Sequence, residues 1–182
     1  MKSIAVLPSI KYVIISFFIL LSINQLTAQS SSVYELFEED FQQSPSKNTA
    51  KSSISSKSGV NAKQAFFTLK TGLKPTIYVE NNVVKKVSSN TVPLILKYEN
   101  SNSLEILKEN NSLIKKVELL TIKLKNLNDL NNQFDFSSIR GLDNLKYIYI
   151  QCNFNCTANQ ISSFILNVDP SVTIFYMVSN PS

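Results

Sequence analysis

The sequence predicts an α/β domain, and three observations carry that expectation. Short apolar runs rich in β-branched residues recur along the second half, segments of helix or turn character separate them, and one of those segments, from Thr157, carries a complete helix-start signal. What the 182 residues lack is equally informative. There is no His and no Trp, and glycine occurs only as Gly59, Gly72 and Gly141. That composition excludes a Ser-His-Asp triad, a Cys-His pair and a His-based zinc site. It also leaves no room for a glycine-rich phosphate loop or a dinucleotide fingerprint.

Taken in order, residues 1–28 read as a secretory signal peptide. Lys2 and Lys11 supply the positive start, an 11-residue apolar core runs from Val13 to Ile23, and Ala28 is a small residue suited to cleavage. A membrane anchor needs about 20 apolar residues, so this core is too short to span. The expected location is therefore secreted or periplasmic, with no transmembrane span in the mature chain. Lys2 and Lys11 would leave with the peptide, which puts the mature charge at +3 on 154 residues. Nucleic-acid binding calls for a strong basic stripe, so no nucleic-acid partner is expected.

Residues 29–63 hold ten serines and few apolar residues after Phe41. Such a segment cannot bury enough surface of its own to offset its ordering entropy, and it reads as a disordered leader. Within it, Val33, Leu36, Phe37 and Phe41 approximate one face of a short helix. Two readings stay open there, a docking helix for a partner groove and a marginal helix in a tail.

The globular domain is expected over 64–182. Gln64 to Lys70, with Phe66, Phe67 and Leu69, reads as a first strand. Thr76–Glu80 and Val83–Val87 flank Asn81-Asn82, and asparagine tolerates positive φ, so these form a two-residue hairpin entered at Pro75. Further strands are expected at Leu94 to Tyr98, Leu119 to Leu124, Tyr147 to Ile150 and Val172 to Val178. Leu96, Ile122, Ile148 and Ile174 lie within them at a constant spacing of 26 residues. Between the strands the pattern predicts a helix from about Ser101–Ser103 to Asn110-Asn111, carrying Leu104 and Leu107, and a single turn over Ser137 to Leu142. A helix from Thr157 to Asn167 begins with the capping box Thr157-Ala-Asn-Gln160 and stops at Asp169-Pro170.

Leu142-Asp-Asn-Leu145-Lys-Tyr-Ile148-Tyr-Ile150-Gln-Cys-Asn153 resembles the leucine-rich-repeat motif LxxLxxLxLxxN along its full length. The resemblance implies a solenoid in which Leu145, Ile148 and Ile150 point into the core and Asn153 hydrogen-bonds backbone between turns. The other 26-residue units follow the motif less closely, with Ser101, Leu127 and Ser179 at the asparagine position. The alternative is a compact α/β fold with the same elements in one sheet.

Few residues point to chemistry. Cys152 and Cys156 are the only thiols, and in an exported chain two lone cysteines read as a structural disulfide. A redox pair and a metal site are the alternatives, although no carboxylate lies near enough in sequence to complete a zinc site. The carboxylates have no paired spacing, and the S-x-x-K strings at Ser44 and Ser112 lack their companion motifs. No cofactor or metal is expected.

Strand alternation offers a candidate binding surface. With Leu96, Ile122, Ile148 and Ile174 turned inward, Lys97, Lys123, Tyr149 and Phe175 align on the other face, with Thr121, Tyr147 and Thr173 beside them. Lys97, Lys123, Tyr147 and Tyr149 are the candidate recognition residues. Cover by a helix layer or a neighbouring strand, and plain surface decoration, are the competing readings of that face. The function expected is an exported, non-catalytic binding module with a protein or cell-envelope component as partner. A small hydrolase or transferase with an unrecognised Ser, Lys or carboxylate site is the first alternative, and a purely structural envelope domain the second.

Overall fold

Most of the apolar runs become strands: β1 (Val33–Glu35), β2 (Thr76–Glu80), β3 (Val83–Val87), β4 (Ile95–Tyr98), β5 (Leu119–Leu124), β6 (Phe134–Asp135), β7 (Tyr147–Cys152), β8 (Ile165–Leu166) and β9 (Thr173–Val178). Among the described residues three α-helices accompany them: α1 (Glu38–Gln42), α2 (Lys57–Thr71) and α3 (Ala158–Phe164). The computed structural model describes residues 31–42, 57–101, 105–108 and 112–179, all within one unit spanning 31–182. The expected signal peptide lies outside the described residues.

Seven strands form one sheet in the order β1-β9-β7-β5-β4-β2-β3, parallel throughout except for the β2–β3 hairpin. The α/β class therefore holds. From β2 through β4, β5 and β7 to β9, each crossover moves the chain to the adjacent strand. Buried crossover residues such as Leu107, Ile114, Val117, Phe134, Ile161, Phe164 and Val172 join one cluster with Leu96, Ile122, Ile148 and Ile174. The crossovers thus cover a single face of the sheet, and β6 and β8 pair in parallel among them.

The four residues spaced 26 apart do share that face, but the spacing is not the register. Leu96 pairs with Leu120, Leu120 with Ile148, and Ile148 with Ile174, while Ile122 pairs with Tyr98 and Ile150. Unequal crossovers place the paired positions 24, 28 and 26 residues apart. In the repeat-like segment, Ile148 and Ile150 are fully buried, and Leu142 and Leu145 are half-buried against the core. Asn153 is exposed, and its backbone N–H donates to the Leu124 carbonyl at 3.0 Å. The side chain that reaches the preceding crossover is Asn144, which donates to the Lys115 carbonyl at 2.6 Å.

The largest corrections concern the N-terminal part. Val33–Glu35 is not leader but an edge strand, parallel to β9, with Val33 opposite Ile174 and Glu35 opposite Tyr176. Leu36 is buried and its N–H donates to the Tyr176 carbonyl at 2.7 Å, while Tyr176 Oη donates to Glu35 at 3.0 Å. Composition judged the segment by what it could bury alone, whereas it buries Leu36 against distant residues. The helical island shrinks to α1, where the Phe37 N–H donates to the Asp40 carboxylate at 3.0 Å. Asp40 also pairs with Lys63 at 2.6 Å, tying α1 to α2.

Helix α2 replaces the strand expected at Gln64 to Lys70. Phe66 and Leu69, three residues apart, are buried together against Ile95, Leu119, Tyr149 and Phe175. Thr68 and Thr71 donate their hydroxyls to the Gln64 and Phe67 carbonyls, at 3.0 and 2.7 Å. The helix stops at Gly72, where a Cβ would stand 2.9 Å from the Thr68 carbonyl oxygen.

Other local expectations hold or shift slightly. Asn81 and Asn82 adopt φ of 52° and 58°, the left-handed pair of a tight hairpin turn. Thr157 and Gln160 form the reciprocal cap, but α3 ends at Phe164 because Ile165 turns extended and pairs with Phe134. In place of a helix near 101–111, the described residues show 3-10 turns at Glu105–Leu107 and Ser112–Ile114. The turn expected at Ser137 to Leu142 is a 3-10 turn at Phe136–Ser138, followed by Gly141 at φ 83°.

Two stability predictions follow from the packing. Phe66→Ala should cost about 3–5 kcal/mol in urea denaturation, since it empties the main contact between α2 and the sheet. Tyr98 carries a buried hydroxyl with no partner among the described residues. Tyr98→Phe should therefore stabilise the protein by about 1 kcal/mol in the same assay.

Candidate functional site

The face of the sheet opposite the crossovers is read most simply across the strands. One row runs Lys86, Tyr78, Lys97, Thr121, Tyr149, Phe175, Tyr34, each residue paired with the next. Its aromatic half lies under α2, with the Phe66 ring 4.6 Å from Phe175 and 5.4 Å from Tyr149 between centroids. Its polar half emerges where α2 ends, and there a cleft of about 530 Å³ opens. The sheet contributes Tyr78, Lys97 and Thr121 to the lining, the end of α2 and its exit loop contribute Lys70 and Lys74, and the β3–β4 loop contributes Ser89 and Thr91.

Local chemistry positions these groups. Lys70 lies four residues after Phe66, hence on the sheet-facing side of α2, and its Nζ stands 5.3 Å from the Tyr149 ring centroid. Burial, then the neighbouring Lys97 ammonium, pull the Lys70 pKa below the usual lysine value. Lys97 Nζ is 3.0 Å from Glu99 and 5.6 Å from the Tyr78 ring centroid. Among the described residues, neither Lys70 nor Lys74 has a carboxylate partner. The Ser89 and Thr91 hydroxyls bond each other at 2.9 Å, and Ser88 Oγ accepts from the Thr76 N–H at 2.8 Å. The result is a cationic cleft with a polar floor and a partly buried pair of like charges.

The four candidate recognition residues do share one face, as alternation implies, but they do not form one surface. Lys97 lines the cleft. Lys123 is half-buried beside Gln151, outside the lining. Tyr147 is half-buried with its ring 6.0 Å from Phe66, and Tyr149 is 1% exposed beneath the helix. Helix cover removes Tyr149 from any exposed recognition surface. Lys70, Lys74 and Tyr78 were missed. A helical rather than extended reading of Phe66, Leu69 and Lys70 would have put Lys70 on the sheet side.

The disulfide expectation is also corrected. Cys152 and Cys156 are free thiols, buried, with their sulfurs 2.7 Å apart. Both belong to the crossover core, where they pack as small apolar side chains rather than as a cross-link. The hydrogen bond between them, reinforced by burial, keeps the Cys152 thiol protonated and pushes its pKa up, and the same bond lowers that of Cys156. Among the described residues no three Cys, Asp or Glu side chains gather closely enough to hold a metal ion, and no helix is long and apolar enough to cross a membrane.

These shifts predict a two-sided pH response. Between the lowered Lys70 pKa and its ordinary value of 10.5, the unfolded chain binds more protons than the native one, so stability rises with pH there. Above about pH 10 the sign reverses, because burial pushes Tyr149 up to about 12 and raises Tyr98 and Tyr176 as well. Denaturation midpoints at pH 7, 9.5 and 11 should rise and then fall, and Lys70→Met should raise the pH 7 value and flatten the first limb.

Comparison with known proteins finds no matching family model, no matching curated protein and no matching solved structure.

Proposed function

We propose that this protein is an exported, non-catalytic binding module, and that its cleft beside the end of α2 receives a group presented by a protein or cell-envelope partner. The observation that carries this reading is the cleft itself. It has a rigid floor of sheet residues and side walls from a helix end and a loop, and its lysines are only partly neutralised. Export draws on the charged start, short apolar core and small residue of positions 1–28. A second reading, a small transferase or hydrolase using an amine, draws on the lowered pKa of Lys70.

Site-specific photo-crosslinking tests the binding reading. A benzophenone side chain placed at Thr91, on the cleft, should give a discrete adduct in extract of the source organism. The same group at Leu127, exposed on a crossover-side turn, should not. Equal labelling from both positions, or none from Thr91, would overturn it.

A further inference from the structure

The arrangement of charge around the cleft says more than that something binds there. Lys70 and Lys97 line the same cleft, where the Lys97 ammonium disfavours the charge on the partly buried Lys70. Lys74 stands on the same rim, and register puts Lys86 directly beside Tyr78 on the same face. Among the described residues no carboxylate lines the cleft, and Glu99 is paired with Lys97. Holding like charges together in a partly dehydrated place is unfavourable, and an anion between them removes that cost. The walls suit the same occupant. Of the Ser89 and Thr91 hydroxyls, one donates to the other, which leaves the second O–H to donate elsewhere.

We infer that the cleft is an oxyanion site, taking a carboxylate or phosphate group between Lys70 and Lys97, with Lys74 at the rim. This rests on the cleft being the binding site, and it adds the chemical class of what enters. Carboxylate and phosphate share the needed chemistry, namely two or more oxygens that accept charge-assisted hydrogen bonds from ammonium groups. Tyr149 does not reach the ligand. Its ring lies beneath the Lys70 ammonium, with the centroid 5.3 Å from Nζ, and positions that group.

The test is an amide-resolved NMR titration of the full chain with three probes: inorganic phosphate, glucuronate and, as the uncharged counterpart, glucose. Phosphate or glucuronate should shift the amides of Thr76, Tyr78, Ser89, Thr91 and Lys97, and the stronger of the two identifies the group preferred. Lys70→Met and Lys97→Met should each weaken that binding roughly tenfold, the loss of one charge-assisted hydrogen bond. Lys97→Arg should restore it in large part, and Lys123→Met, on the same face but outside the cleft, should leave it unchanged. The amide spectrum of each variant establishes that it is folded, and Lys→Gln substitutions serve where a methionine disturbs it. Glucose shifting the same amides as strongly would overturn the oxyanion assignment while leaving the cleft as a binding site. Silence of the cleft amides toward both anions, or binding indifferent to Lys70 and Lys97, would overturn it as well. Crosslinking from Thr91 reads the parent proposal separately, because it depends on no particular ligand.

Discussion

The structure depends on the cover that α2 lays over a parallel sheet. A parallel sheet is stable when both faces are shielded, and here the crossovers serve only one of them. The other face carries Leu119, Tyr149 and Phe175, which would meet water if Phe66 and Leu69 did not pack there. A helix that precedes all but one of the strands in the chain thus completes the core that those strands begin. The strap through Lys63 and Asp40 then holds α1 to α2, and α1 follows directly from the edge strand β1.

That cover also makes the cleft. Helix α2 spans only part of the face, and the sequence changes character where it stops. The cross-strand row is aromatic beneath the helix and turns to Thr121, Lys97, Tyr78 and Lys86 beyond it. Had the row stayed aromatic, the exposed part would be an apolar patch. Instead, Lys70, Lys74 and Lys97 line the opening. The site is thus a by-product of unequal coverage, with its lining lysines supplied by two separate stretches of chain, the end of α2 with its exit loop and strand β4.

How much of this the sequence discloses depends on the range of each interaction. The hairpin could be read from Asn81-Asn82 and the α3 start from Thr157 and Gln160, because both are decided within four residues. The strands of the second half were legible as apolar runs, and so was the shared facing of Leu96, Ile122, Ile148 and Ile174. Register was not, since crossover length and not the spacing of apolar residues decides which residue meets which. Phe66-Phe67-Thr68-Leu69 is too short an apolar run to separate period two from period 3.6, and misreading it hid both the burial of Tyr149 and the place of Lys70. Edge strand β1 had no local signal at all, its partner lying at the other end of the chain. Cys152 and Cys156 were read from compartment logic, which speaks to what cysteines usually do and not to how these two pack.

The pairing of β1 with β9 has a consequence for how the molecule comes into being. Glu35 and Tyr176 lie 141 positions apart in the chain, so the earliest described strand cannot dock until the final one exists. Loop closure over such a span is slow compared with hairpin or helix formation. A nascent chain therefore emerges with Val33, Tyr34 and Leu36 unprotected until β9 has been made. A chain truncated before Thr173 lacks the strand that β1 pairs with and is left without its closing edge.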